Sequence, residues 1–394
     1  MPLDADPTRI AATITFGDGG NAGAFLREGW TAPERGFTWS VGPRSVLNVP
    51  YNAGEGMLTL EMRASPMRAL PRLISQELTV VVNGTAYGTD KLGEDSVLAF
   101  PLSGIASGVA GCAEIELRHP GAAAPADYID TDDRRCLAIC MRSLRLLWLP
   151  REPAFTPRHR PRLMVPGPGY QEEIVRGCTA LAPLDLMQQF LSLGHNCEFG
   201  LVQKHLGVTA ASLLRFGGTD PHDILAGLEC AFDGIDDPGQ ISLFREDNKG
   251  EQQYWVRCEK YGMQFHSFIP VASTTEREMH AQMARYLGFL RRQFEASMRE
   301  GRFIFVLHHI ACASPAQVRP FLRALRQWGP GALLFVTPDT AEIGSVDQVE
   351  ANLFHGHVDF LMTQEKPDVI NAPAWLSICA NTYRMWRETG GGQD

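Results

Sequence analysis

The chain has 394 residues, 44% of them hydrophobic and 21% charged, with a formal net charge of −9. That length exceeds one ordinary core and suits two domains, and the composition is that of a globular chain, not a disordered one. The acidic balance argues against a general nucleic-acid binder, which needs a basic surface to displace counterions from phosphates. Met1-Pro2-Leu3-Asp4 opens no basic segment followed by an apolar run, and no stretch reaches the roughly 18 apolar residues of a membrane span. Nine cysteines are scattered without a short disulfide framework. These features predict a cytoplasmic chain with reduced thiols and no transmembrane segment.

Residues 1–149 read as short strands separated by Gly, Pro and Asn. The apolar runs are 57–62, 78–82, 113–117, 136–140 and 143–149. Asn83-Gly84 follows the second run and is a strong hairpin signal, because both positions tolerate positive φ. Many short strands and no amphipathic helix predict an all-β sandwich, jelly-roll-like. Over 150–183, Pro150, Pro153, Pro157, Pro161, Pro166 and Pro168 oppose helix and central strand alike, which predicts an extended linker.

Residues 184–389 read as an α/β domain. Phe199, Val202 and Leu206 have helical spacing after Cys197, and Gly207 supplies a stop. A longer helix over 276–299 carries an apolar stripe from Met279 to Met298, and Thr275 and Glu278 have capping-box spacing. A strand at 303–307, a helix from Ser314-Pro315 to Trp328 and a strand at 332–336 predict a parallel βαβ unit. A last helix is expected over 374–386, and the Gly-rich tail 390–394 is expected to be disordered.

The segment Ser192-Leu193-Gly194-His195-Asn196-Cys197-Glu198 is the most informative for chemistry. A cysteine just inside a helix N-terminus, with Asn196 as cap, meets unpaired amides and a helix dipole that favour a thiolate. Those amides, helped by Asn196 or the Gly194 amide, suit an oxyanion. Glu198 works against the thiolate, and a buried space-filling cysteine is the competing reading. His266, on a strand whose alternation separates Gln264 and His266 from Met263 and Phe265, is the first candidate base; His195 is read as shaping the turn. His308, His309 and Asp339 follow apolar strands at the carboxyl ends where parallel sheets bind ligands, with at most one of the two histidines facing a given site. Asp339 and Asp359 are alternative groups to orient a histidine. His355-Gly356-His357 presents two imidazoles without a convincing third ligand, so no metal and no cofactor are expected. In the sandwich, Trp30, Glu34, Trp39 and Arg44 are the types a sugar site uses, and the tryptophans serve a core equally well. Asp130-Thr131-Asp132 has the Asp-x-Asp form of sugar-nucleotide enzymes but lacks their α/β flanks.

The segment Gly29 to Gly42, with the later Val80-Val81-Val82-Asn83-Gly84, resembles a β-sandwich module of bacterial polysaccharide-biosynthesis proteins. Ser192 to Gly200, Leu213-Leu214-Arg215-Phe216, Tyr261 to Phe268 and Trp375-Leu376-Ser377-Ile378-Cys379 resemble an uncharacterised bacterial family. That family is similar to a group assigned to the papain-like cysteine peptidases, sharing its Ser-Leu-Gly-x-x-Cys start. The resemblance implies a site at Cys197 and His266, with Arg215 among the substrate contacts, more than it implies proteolysis. The resulting expectation is a thiol-dependent hydrolase or acyl transferase acting on a glycan or glycoconjugate, with polysaccharide-biosynthesis enzymes as partners. A glycosyltransferase-like enzyme using His308 and Asp339, and a non-catalytic glycan-binding scaffold, are the alternatives.

Overall fold

The computed structural model describes residues 9–151, 155–163, 169–248, 250–309, 312–362 and 369–392. They form two compact units, Met1–Pro153 with Ser314–Pro320, and Ala154–Ala313 with Phe321–Asp394.

The first unit contains β1 (Arg9–Thr15), β2 (Thr38–Val41), β3 (Arg44–Tyr51), β4 (Met57–Pro66), β5 (Gln76–Val82), β6 (Thr85–Leu92), β7 (Ser96–Pro101), β8 (Gly111–Arg118) and β9 (Leu137–Leu149). One antiparallel sheet runs β1-β9-β4-β7 with β2 also on β9, and the other runs β3-β8-β5-β6. Alternate residues from both sheets enter one core, among them Leu47 and Val49 of β3, Leu58 and Leu60 of β4, Ile115 and Leu117 of β8, and Trp148 of β9. Two sheets closing on a shared core make a β-sandwich. Asn83 (φ 49°) and Gly84 (φ 79°) form the two-residue turn between β5 and β6, with the positive φ values that the tightest hairpins require.

The second unit contains β10 (Arg158–Arg160), α1 (Tyr170–Arg176), α2 (Pro183–Met187), β11 (Phe190–Ser192), α3 (Glu198–His205), α4 (Pro221–Glu229), β12 (Ile241–Asn248), β13 (Glu251–Cys258), β14 (Met263–Pro270) and α5 (Glu276–Glu300). It continues with β15 (Ile304–Leu307), α6 (Pro315–Arg326, whose first residues cluster with the first unit), β16 (Ala332–Pro338), β17 (Val346–Glu350), β18 (Leu353–Val358) and α7 (Ala372–Glu388). A six-stranded sheet has the order β10-β17-β18-β16-β15-β11. Within it β11, β15, β16 and β18 pair in parallel, and β17 and β10 add antiparallel strands at one edge. Ile304, Val306, Leu334, Val336, Phe354 and Val358 project from one face of this sheet into a core with Trp375, Leu376 and Cys379 of α7. A separate antiparallel sheet, β12-β13-β14, precedes α5, whose first turn carries the full Thr275–Glu278 capping box.

The segment expected as a linker is partly structured. Arg158–Arg160 forms the edge strand β10 on β17, and Ile174 and Val175 of α1 are buried in the core of the second unit. An edge strand leaves half its amides unpaired, so nearby prolines do not forbid it. Pro153, Pro166 and Pro168 lie outside the described residues. At the C-terminus the Gly391 amide donates to Trp386 O at 3.0 Å, which ties the start of the glycine-rich tail to α7; residues 393–394 lie outside the described range. Among the described residues no helix is long and apolar enough to cross a membrane.

Candidate active site

Four parallel strands end on the same edge of the large sheet, and the segments leaving β11 and β15 carry His195 to Cys197 and His308-His309. The chain leaves β11 through Gly194 and His195, both at φ 89°. A left-handed conformation is expected of glycine but strained for histidine, so the turn is held by its surroundings. Cys197 then occupies the N-cap position of α3. Asn196 stands one residue earlier than expected of a cap, yet its Oδ1 still accepts the Glu198 amide at 2.9 Å.

Cys197 and His266 line a common cavity of about 880 Å³, together with His195, Asn196, Arg215, Trp255 and Phe268. His266 is brought there by sheet register. Trp255 on β13 lies directly opposite His266 on β14, and opposite residues of an antiparallel pair share a face. Their rings stack at 5.2 Å with an interplanar angle of 22°. Gln264, two residues before His266, also reaches the cavity, as strand alternation requires. The loop after Arg215 is clipped to the same strand by paired bonds between Gly218 and Gln264 of 2.8 and 2.9 Å. His266 Nε2 is buried without a hydrogen-bond partner, and burial lowers the pKa of the ring, which favours the neutral base.

Arg215 is 4% exposed, and its guanidinium donates to the carbonyls of Ala210, Gly200 and Val208, the last at 2.8 Å. It therefore ties the first turn of α3 to the segment that follows the helix, as well as lining the cavity.

Several expected roles change. His308 and His309 are 0% and 3% exposed, so they are not surface contacts for a substrate. Instead both approach His195, whose ring centroid lies 6.3 Å from that of His308 and 3.8 Å from that of His309. The two adjacent histidines therefore both have rings near His195, the His309 ring the nearer of the two. Burial pushes His308 and His309 down to about 3, and it lowers His195 as well. Asn196 Oδ1 receives His308 Nε2 at 2.9 Å, and Asn196 Nδ2 donates to Met362 O at 3.3 Å. The donors envisaged for an oxyanion are thus engaged, since the Gly194 amide also bonds Ser192 Oγ at 3.1 Å. Asp339 accepts the Ala341 amide and stands 3.9 Å from His357 Nδ1, in a different neighbourhood from Cys197. Asp359 accepts from Asn371 at 2.9 Å.

Glu198 was not legible as a structural residue. Its carboxylate is turned into the core, where Oε2 accepts the Met362 amide at 2.7 Å and Oε1 accepts Trp375 Nε1–H at 2.9 Å. Burial nevertheless raises it to about 7. The negative charge expected to oppose a Cys197 thiolate is therefore weakened near neutral pH.

In the sandwich, Trp30 packs against the core and donates Nε1–H to Val46 O at 2.9 Å. Trp39 is half-buried, edge-on to Phe37 at 6.0 Å. Glu34 pairs with Arg135 at 2.7 Å, and Arg44 pairs with Glu28. Trp30 thus takes the core role of the two readings, and Trp39, Phe37 and the Glu34–Arg135 pair remain at the surface.

No protein-family model matches the sequence, and no curated protein sequence matches it. Solved structures similar to it include a carbohydrate-binding module in complex with calcium and xylotriose, at 10% identity over 34% of this chain and 98% of that one, with a TM-score of 0.21. An acetyl xylan esterase from the rumen bacterium Butyrivibrio proteoclasticus aligns at 9% identity over 95% of this chain and 97% of its own, TM-score 0.23. A salicylyl-acyltransferase from a tetracycline biosynthetic pathway aligns at 11% identity over 98% of both chains, TM-score 0.21. Similarities at this level assign neither activity nor ligand.

Proposed function

We propose that the second unit is a thiol-dependent hydrolase or acyl transferase in which Cys197 is the nucleophile and His266 exchanges its proton. The observation that supports this is convergence: a thiol at the N-cap of α3 and an imidazole with an unpartnered, buried Nε2 line one cavity. Sulfur attacks an acyl carbon and its proton passes to His266 Nε2. The collapsing tetrahedral species expels an alkoxide, which takes that proton, and leaves a thioester. Water or an acceptor hydroxyl then attacks the thioester, giving its proton to His266, and the departing thiolate takes that proton back, which restores the thiol and the neutral imidazole. The first turn of α3 supplies a favourable dipole for negative charge at Cys197. Leu201, Val208, Phe216, Trp255 and Phe268 give the cavity an apolar wall suited to an acyl group.

The resemblance of Ser192 to Cys197 to the papain-like group supports the same pair of residues. We read β15, α6 and β16 as a βαβ unit with a right-handed crossover. The surface of Trp39 and Phe37 beside Glu34 and Arg135 is where a glycan would stack, making a glycan or glycoconjugate the acyl carrier.

The labelling test has internal controls, because Cys112, Cys136 and Cys230 are exposed. Iodoacetamide applied to the native protein is expected to alkylate Cys197 at least tenfold faster than those three, read by peptide mass spectrometry. His266→Asn should remove that advantage, while His195→Asn should retain it. Labelling of Cys197 no faster than the exposed thiols would end the nucleophile reading.

A further inference from the structure

We infer that Asp347, His355 and His357 form a binding site for a divalent transition-metal ion on the face of the six-stranded sheet turned away from α7. The sequence offers two imidazoles and no visible third ligand; strand register supplies the third. Asp347 on β17 lies directly opposite His355 on β18, so their side chains share a face. One ligand atom from each of the three residues lies within 4.8 Å of the others.

The glycine between the histidines explains why both can reach one point. A Cβ at Gly356 would stand 2.7 Å from Ile378 Cγ2, so α7 packs directly on that backbone. With Gly356 committed to α7, alternation sends His355 and His357 together to the opposite face, where their ring centroids are 4.2 Å apart.

The surroundings resemble the outer shell that metal ligands use for orientation. His355 Nε2 bonds Thr337 Oγ1 at 2.8 Å, which leaves Nδ1 for an ion. His159 Nδ1 bonds Asp347 Oδ1 at 2.9 Å and leaves Oδ2. His357 is 7% exposed; its Nε2 meets Asp347 Oδ2 at 2.9 Å, and its Nδ1 is buried without a hydrogen-bond partner, facing Asp339 Oδ2 at 3.9 Å. Ligand atoms at about 2.0–2.1 Å from a tetrahedral zinc ion stand roughly 3.3 Å apart. An ion therefore replaces the proton between His357 and Asp347 once the pair opens by a few tenths of an ångström. Two imidazoles and one carboxylate suit zinc or iron(II) better than magnesium or calcium, which prefer oxygen. Three protein ligands leave a further position for water.

The full-length protein, freed of metal with chelator and dialysed, is titrated with zinc by calorimetry and with cobalt(II) by absorption. One ion per chain is expected, with cobalt bands lacking thiolate charge transfer. Asp347→Asn and His357→Gln should each weaken binding at least tenfold. Thr337→Val should weaken it roughly tenfold to a hundredfold while every direct ligand stays in place, and it carries the test should either ligand variant fail to fold by circular dichroism. Absence of binding, or binding through thiolates that none of the three substitutions weakens, would overturn the inference.

Discussion

Replacing Trp375 with alanine is expected to lower the stability of the second unit by about 3–5 kcal/mol, the range for emptying a large aromatic site. The side chain is fully buried in α7, tilted against Phe199 at 5.2 Å and edge-on to His308 at 5.8 Å. Its indole donates to Glu198, so the substitution removes packing and leaves a buried carboxylate short of a donor. Trp375→Phe keeps the ring and drops the donor, and is expected to cost about 1–3 kcal/mol. Urea unfolding followed at the helical circular-dichroism signal measures both. A loss under 1 kcal/mol for the alanine variant would show that Trp375 is not the hub joining α3, β15 and α7.

The second large effect concerns pH. A group titrating differently in the folded and unfolded states changes stability by about 1.4 kcal/mol per pH unit for each proton of difference. Glu198 is raised from 4.5 to about 7. Its contribution is full below pH 4.5 and is lost as pH rises through 7. His308 and His309 are lowered from 6.5 to about 3. Their contribution is full above pH 6.5 and is lost as pH falls toward 3. Between pH 4.5 and 6.5 the two histidines outweigh the one carboxyl, so acid destabilises the unit. Glu198→Gln removes the opposing group, and its stability should therefore fall more steeply with acid, by about 1.4 kcal/mol per pH unit. Parallel curves for the two proteins from pH 4.5 to 7 would contradict the account of Glu198.

These two predictions rest on residues whose roles the sequence conceals. Glu198 reads as a neighbouring charge that opposes a Cys197 thiolate, and nothing local reveals that Met362 and Trp375 bond its carboxylate. Long-range pairing is the common cause. Asp347 becomes a partner of His355 only once β17 is laid against β18, and Trp255 reaches the cavity only through its register with His266. His308 and His309 are buried beside a His195 ring that arrives from the segment after β11, at a positive φ uncommon for a residue other than glycine. By contrast, features set by neighbours in the chain were legible. The Asn83-Gly84 turn, the Thr275–Glu278 box and the placement of Cys197 at the start of α3 all follow from spacing over a few residues. The proline-rich segment failed in the other direction, because proline density does not register that Ile174 and Val175 have a core to enter.

The pH profile of Cys197 alkylation, compared between the native protein and His266→Asn, probes the proposed chemistry most directly. An imidazole that takes the thiol proton should keep Cys197 reactive well below the ordinary thiol pKa of about 8.5, and the asparagine variant should lose that acidic limb. A profile that follows an ordinary thiol and is the same in both proteins would contradict the proposal.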